Sequence, residues 1–260
     1  MSQSTSGRLV AIDGAHNFRD IGGYRNRDGK MTAWGRVFRS GTLADIVPDG
    51  LSIMQSLGLA TVCDLRSTGE REAAPSRFPE NHGYNVLARD HLESSVNLKT
   101  MLVEPDLTAP ETREIVAEFY RKLPEEQGDS YRVLFKALAQ GEWPLLFHCA
   151  AGKDRTGVAA ALLLDVLGID RQTVIEDYVL TDLFLDDAWR IFRSRRSDHP
   201  FSGLDDDVFA QMLRADPYYL IAMFGALEKQ YGSASGYVID YLGLSAEQLG
   251  AIRDHLLVEG

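Results

Sequence analysis

Cysteine is scarce in this chain: Cys63 and Cys149 are its 2 cysteines in 260 residues, and they show no paired spacing. That excludes a disulfide framework and a Cys-rich zinc site, and it makes a reducing cytoplasm the expected location. Long hydrophobic runs are missing as well. The opening MSQSTSGRLVAIDGA offers only the apolar stretch LVAI, too short for the core of a signal peptide, and no uncharged run reaches transmembrane length. Stable insertion into a membrane is therefore not expected. Positive charge is in deficit, with 27 Lys and Arg against 38 Asp and Glu and a net charge of −11. This is the wrong balance for nucleic acid as a main partner, and any anionic ligand must be drawn in by a local site. No repeat, low-complexity tract or Pro/Ser-rich linker divides the sequence, so residues 1–260 read as a single domain.

What is present is an ordinary globular composition, 45% hydrophobic and 25% charged. Asp28-Gly29 between β-like flanks predicts a hairpin turn. Short apolar runs at 60–65, 84–88 and 144–148 predict strands, and "GRVFRS" predicts another that closes on Arg39 and Ser40. Helical patterns fall at about 48–57, 111–122, 129–139, 157–168, 171–195 and 205–230. Strands alternating with helices imply an α/β fold with a largely parallel sheet flanked by helices. "GVAAALLLDVLG" is apolar nearly all round, which predicts a buried helix stopped by Gly168.

The chemistry concentrates in "FHCAAGKDRTG" (147–157). A strand runs straight into Cys149, and a helix is expected to start near Arg155. A tight loop there turns successive N–H groups inward and adds the positive end of the helix dipole, which makes a cradle for an anion the size of phosphate. Gly152 allows close backbone approach, and Ala150 and Ala151 keep the rim open. The same field favours a thiolate, the nucleophilic form of Cys149. Arg155 can hold two phosphoryl oxygens with its planar fork, and Thr156 is placed to donate toward the sulfur. Lys153 either stands beside the phosphate or offsets Asp154. His148 is expected to be structural.

"HCAAGKDRTG" resembles the H-C-x-x-G-K-D-R-T signature of the cysteine-dependent protein tyrosine phosphatase superfamily, in particular its atypical bacterial branch. "NFRDIGGY" (17–24), "GRVFRSGTL" (35–43) and "DLRSTGE" (64–70) follow the order seen in that branch, so the resemblance spans about residues 16–170. It implies a protein-tyrosine-phosphatase-like fold, here with additional C-terminal helices. It also implies a phosphocysteine on Cys149, phosphate bound by the amides of Ala150, Ala151, Gly152, Lys153, Asp154 and Arg155, no metal and no cofactor. The implied substrates are proteins carrying phosphotyrosine, or phosphoserine and phosphothreonine, and phosphoinositides, with inorganic phosphate as product.

Several roles stay open. Asn17, Arg19 and Asp20 are expected to brace the N-terminal strand, and Asp64–Arg66 to face the same cleft as Cys149, with Arg66 paired either to Glu70 one helical turn away or to Asp64. Dual-specificity phosphatases carry a general-acid aspartate on a loop before the cysteine, whereas 111–122 has Glu111, Glu114 and Glu118 but no Asp. Asp154 and Asp64 compete for that role, and the resemblance of the Lys-Asp-Arg loop to lipid phosphatases favours Asp154, whose other expected role is a helix cap. The large apolar residues at 171–230 form either core or a mobile lid. "RIFRSRR" (190–196) is either a solvated face or a basic rim. Two rival readings are a phosphate-binding pseudophosphatase, which would lack the cysteine or the arginine, and an arsenate-reductase-like or rhodanese-like enzyme, for which Cys63 inside a strand is badly placed.

Overall fold

The structure, a computed structural model, describes residues 7–90, 98, 102, 107–194 and 205–260, with backbone alone for 191–194. The main sheet has the order β1 (Arg19–Asp20), β3 (Val37–Ser40), β6 (Leu145–His148), β4 (Thr61–Asp64), β5 (Asn85–Ala88). Strands β3, β6, β4 and β5 are parallel, and β1 runs antiparallel along β3. The register sets His148 between Ser40 and Asp64. The segments that follow all three residues therefore leave the sheet at one edge, where ligands of parallel sheets collect.

Period-two alternation sorts the strand residues onto two cores. Val37, Cys63, Leu145 and Phe147 join the larger cluster, while Phe38, Val62 and Leu146 join the smaller one. Helix α1 (Pro48–Ser56) closes the smaller face through Met54. On the other face lie α3 (Ala109–Glu126), α4 (Gly128–Gln140) and α5 (Asp154–Val166), while the short α2 (Thr68–Ala73) follows β4. Helix α5 is the predicted buried helix: from Thr156 to Leu164 every residue is buried. Gly168, at φ +78°, ends it, with Ile169 N–H returning to Leu164 O at 3.0 Å. The turn at Asp28-Gly29 is also present, built by Asn26 Oδ1, which accepts from the N–H groups of Asp28 and Lys30 at 3.0 and 2.9 Å.

The C-terminal part departs from the predicted pattern. The single helix expected at 171–195 is broken into α6 (Arg171–Val179), a 3-10 turn (Leu180–Phe184) and α7 (Leu185–Ser194). Side chains of the turn bond elsewhere: Thr181 Oγ1 accepts from Asn17 Nδ2 at 3.3 Å, and Asp182 Oδ1 from Ala215 N at 2.7 Å. The helix expected at 205–230 is divided into α8 (Asp206–Leu213) and α9 (Pro217–Tyr231). Pro217 disfavours helical geometry at Asp216, whose side chain then caps α9 by accepting from Tyr218 N at 2.9 Å. Two further helices, α10 (Ala234–Asp240) and α11 (Ala246–Leu256), precede β7 (Leu257–Val258), which pairs with β2 (Met31–Thr32).

Phe209, Met212, Tyr219, Met223 and Phe224 are buried in the larger core, with α9 packed along α3. For these residues the core explanation holds. The Phe192 side chain and most of the arginine cluster at 190–196 lie outside the described residues. Among the described residues, no helix is long and apolar enough to cross a membrane.

Candidate active site

The loop between β6 and α5 is fixed from behind. Gly152, at φ +68°, turns its carbonyl into the fold, where it accepts from Asn17 Nδ2 at 2.8 Å and Arg39 Nη2 at 3.0 Å. Ala150 O likewise accepts from Thr42 N at 2.8 Å. In a trans peptide the N–H points opposite to the C=O, so both contacts aim the amides of Ala151 and Lys153 toward the other side of the loop. A side chain at Gly152 would fail twice: the backbone is left-handed, and a Cβ would stand 2.6 Å from Gly41 N. Cys149 itself is buried, while Ala150 and Ala151 are exposed and leave the rim open.

The donors to Gly152 belong to a network that sequence reasoning only half anticipated. Asp177, on α6, accepts from Arg39 Nη1 at 2.6 Å, Arg19 Nε at 3.2 Å and the Tyr24 hydroxyl at 2.9 Å. Burial alone would raise the Asp177 carboxyl, but the two guanidiniums outweigh it and hold the group well below its ordinary range. Arg19 also donates to Asn17 Oδ1, and Asp20 accepts from the N–H groups of Gly22 and Gly35 at 2.7 and 2.6 Å. The bracing role expected for Asn17, Arg19 and Asp20 matches these contacts. Asp177, at their centre, carried no motif in the sequence.

Arg155 is clasped by Glu70, with Nη1–Oε2 at 2.5 Å and Nη2–Oε1 at 2.7 Å. Burial would raise the Glu70 carboxyl, but the Arg155 bonds and charge, with the Ser67 N–H, bring it down to about 2. Of the two pairings open to Arg66, the one with Glu70 is therefore not formed. Arg66 instead forks onto Asp64, with Nε–Oδ1 at 2.9 Å and Nη2–Oδ2 at 2.7 Å, and reaches Ala74 O and Ser76 Oγ with its remaining donors. Burial acts to raise Asp64, yet the Arg66 bonds prevail and keep it ionised. The Arg66 fork gives Asp64 a structural partner, whereas no guanidinium is bonded to Asp154 among the described contacts, which favours Asp154 as the candidate acid.

His148 is buried with Nδ1 at 3.3 Å from Cys149 O. Burial lowers its pKa, and its Nε2, 3.5 Å from Asp64 Oδ2, has no hydrogen-bond partner. Thr156 Oγ1 donates to Ser40 O at 3.5 Å rather than toward the sulfur. Lys153 takes the second of its two expected places, offsetting Asp154. Its ammonium is buried against the carboxyl end of α8, donating to Met212 O, and lies 3.2 Å from Asp154 Oδ1. It is thus spent on helix carbonyls instead of standing free beside the loop. Asp154 is the first residue of α5 but makes no capping bond; its Oδ1 accepts from the Tyr120 hydroxyl at 2.7 Å. Its side chain remains 26% exposed, the most open carboxylate beside the loop after Glu70, which Arg155 occupies. Cys63, inside β4, has its thiol pushed up to about 12 by burial, which leaves it a poor partner for a cysteine relay.

The profile of the tyrosine phosphatase family matches residues 10–258, well beyond the stretch of motif resemblance. The chain is 30% identical to a Cupriavidus necator protein classed by its name with the tyrosine-protein phosphatases, over 95% of this chain and 88% of that one. It is also 30% identical to the triple specificity protein phosphatase PtpB of Mycobacterium tuberculosis, over 95% and 98% of the two chains. A tyrosine-protein phosphatase of Nostoc commune is 29% identical over 86% of this chain and 74% of its own. A Cys149-Arg155 loop whose carbonyls are turned into the fold, joined to this likeness along nearly the whole sequence, identifies the protein as a phosphatase: it belongs to the tyrosine phosphatase family.

Proposed function

We propose that the protein hydrolyses phosphotyrosine and related phosphomonoesters in two in-line steps through a phosphocysteine on Cys149. The observation that carries this reading is the loop itself, with Gly152 and Ala150 carbonyls turned inward and Arg155 held by Glu70 beside the sulfur-bearing residue. The amides of residues 150–155 and the Arg155 fork hold three phosphoryl oxygens. The Cys149 thiolate attacks phosphorus; the S–P bond forms as the P–O bond breaks, and the leaving oxygen takes a proton from Asp154. Water then attacks the phosphocysteine, giving its proton back to Asp154, and inorganic phosphate leaves as the thiolate is restored. Asp64 serves to position Arg66 and the β4 terminus. The whole chain acts as one unit in this reading, and phosphoserine, phosphothreonine and phosphoinositides are the further substrates that the motif resemblance implies, in line with one relative's triple-specificity name.

The reading is tested by Cys149→Ser, which removes the nucleophile and keeps the cradle. Turnover of a phosphotyrosine peptide and of p-nitrophenyl phosphate should fall at least about 10⁴-fold, while phosphate still binds. The wild type should be blocked by vanadate, which adopts five-coordinate geometry, and should work in EDTA. Residual turnover in Cys149→Ser, or loss of wild-type activity in chelator, would overturn the mechanism. A panel of phosphotyrosine, phosphoserine and phosphoinositide substrates then ranks the specificity.

A further inference from the structure

Two phenols lie beneath the acid. Tyr120, on α3, and Tyr178, on α6, are both fully buried, with hydroxyl oxygens 2.6 Å apart. A buried phenol needs a partner for its O–H, and Tyr120 has one proton to give. It goes to Asp154 Oδ1 at 2.7 Å, because a carboxylate can only accept. The Tyr120–Tyr178 contact must then have Tyr178 as donor, so the hydrogen bonds run in one direction, from Tyr178 to Tyr120 to Asp154. Lys153 Nζ approaches the same carboxylate oxygen at 3.2 Å. Both donors thus converge on Oδ1. When the carboxyl group is protonated, a proton on Oδ1 would face these two donors head-on, so the proton resides on Oδ2.

We propose that Tyr120 is a positioning residue for the proton-transfer step: backed by Tyr178, it fixes Oδ1 of Asp154 as the accepting oxygen and leaves Oδ2 to carry the proton to the leaving group. This rests on the assignment of Asp154 as general acid. The arrangement ties the acid to the helical layer, through α3 and α6, while the phosphate cradle is tied to the sheet through Asn17, Arg39 and Thr42. Helix α6 serves both, through Tyr178 toward the acid and through Asp177, which holds Arg39, toward the cradle. Ring packing around Tyr120, with Tyr219 at 5.2 Å and Tyr178 at 6.1 Å between centroids, survives removal of the hydroxyl alone.

The test compares Tyr120→Phe, Tyr178→Phe and Asp154→Asn on phenyl phosphate, whose leaving group needs a proton, and 2,4-dinitrophenyl phosphate, whose leaving group does not, each by kcat/KM, which ends at phosphocysteine formation and so excludes the hydrolysis in which Asp154 is also the base. Asp154→Asn should slow the first by about 10²–10⁴-fold and spare the second. Tyr120→Phe should slow phenyl phosphate about tenfold in kcat/KM, with less than about twofold change in vanadate affinity and on the dinitrophenyl substrate. Tyr178→Phe should act in the same direction, about threefold, and supplies the answer should Tyr120→Phe not fold. In the Asp154→Asn background neither phenylalanine should cost anything further. Equal slowing of both substrates, or a full additional loss on top of Asp154→Asn, would make the tyrosines merely structural and overturn the proposal while leaving the acid in place. If Asp154→Asn itself slows both substrates alike, the acid assignment falls and the tyrosine role falls with it, an outcome distinct from the first.

Discussion

Two ion networks flank the catalytic loop, and they differ in how far water reaches them. Behind the loop, Asp177, Arg19 and Arg39 are at most 1% exposed and bonded on nearly every side. In front of it, the Arg155–Glu70 pair has side chains 19% and 28% exposed. A charge sealed from water is costly to leave alone, so the rear network can hardly exchange partners and fixes one shape. The front pair can loosen toward an arriving phosphate dianion, because solvent lowers the cost of partial separation. In the proposed mechanism this divides the labour: sealed charges set where the amides point, and a half-open pair keeps a guanidinium oriented yet available for phosphate.

The sharpest way to break this division is Asp177→Asn. It leaves two buried guanidiniums facing one neutral amide, and stability should fall by about 3–5 kcal/mol, which lowers Tm by roughly 10 °C in a chain of this size. The protein that remains folded should lose affinity for vanadate, because Arg39 no longer holds Gly152 O in place. Thermal unfolding followed with vanadate titration checks both. A Tm within a few degrees of wild type, with vanadate binding intact, would show that the rear network does not shape the loop.

Arg155→Lys should behave in the opposite manner. Lysine keeps the charge near Glu70 but cannot hold two phosphoryl oxygens at once, so kcat/KM should fall about 10²–10³-fold while Tm moves little. The pair of variants therefore separates shape from chemistry. If Arg155→Lys costs as much stability as Asp177→Asn, the contrast between sealed and half-open charges is not the governing one.

Which of these parts the sequence could reveal follows from their separation along the chain. Cys149, Gly152, Asp154 and Arg155 share one short loop, and strand, glycine and buried helix in succession make its geometry readable. The apolar runs that form β4 and β6 were equally plain. Glu70 was seen only as one of two candidate partners of Arg66, since local spacing says nothing of an arginine arriving from α5. Asp177 and Tyr120 had no local signature: their partners come from Arg39 and Asp154, on other elements of the fold. The direction of Lys153 could not be read either, because the carbonyls it meets belong to α8, which the pattern merged with α9. That merger was avoidable. Asp216-Pro217 is a cap followed by a first-turn proline, and the pair marks a helix start on sequence grounds alone.

The smallest effect concerns acid. Glu70, Asp64 and Asp177 all have folded pKa values below their ordinary ones, so each contributes stability that is complete above about pH 4.5 and is lost as pH falls toward the folded value, about 2 for Glu70. His148 works in the same direction for a different reason. Burial lowers its pKa, so below about 6.5 the unfolded chain takes up a proton that the folded chain refuses, and stability declines. Asp20 opposes the trend, because burial raises its pKa despite the Gly35 and Gly22 amides. Three lowered carboxylates and a lowered histidine outnumber it. Urea midpoints should therefore hold steady from pH 8 to 7, fall gently between about 6.5 and 5, and fall more steeply below about 4.5. His148→Asn should flatten the gentle part and leave the steep part alone. Glu70→Gln should soften the steep part and slow turnover about tenfold, since Arg155 then loses a charged partner. A stability profile that stays flat down to pH 4 in the wild type would mean that neither network contributes through its ionised carboxylates, and the contrast between them would have to rest on packing alone.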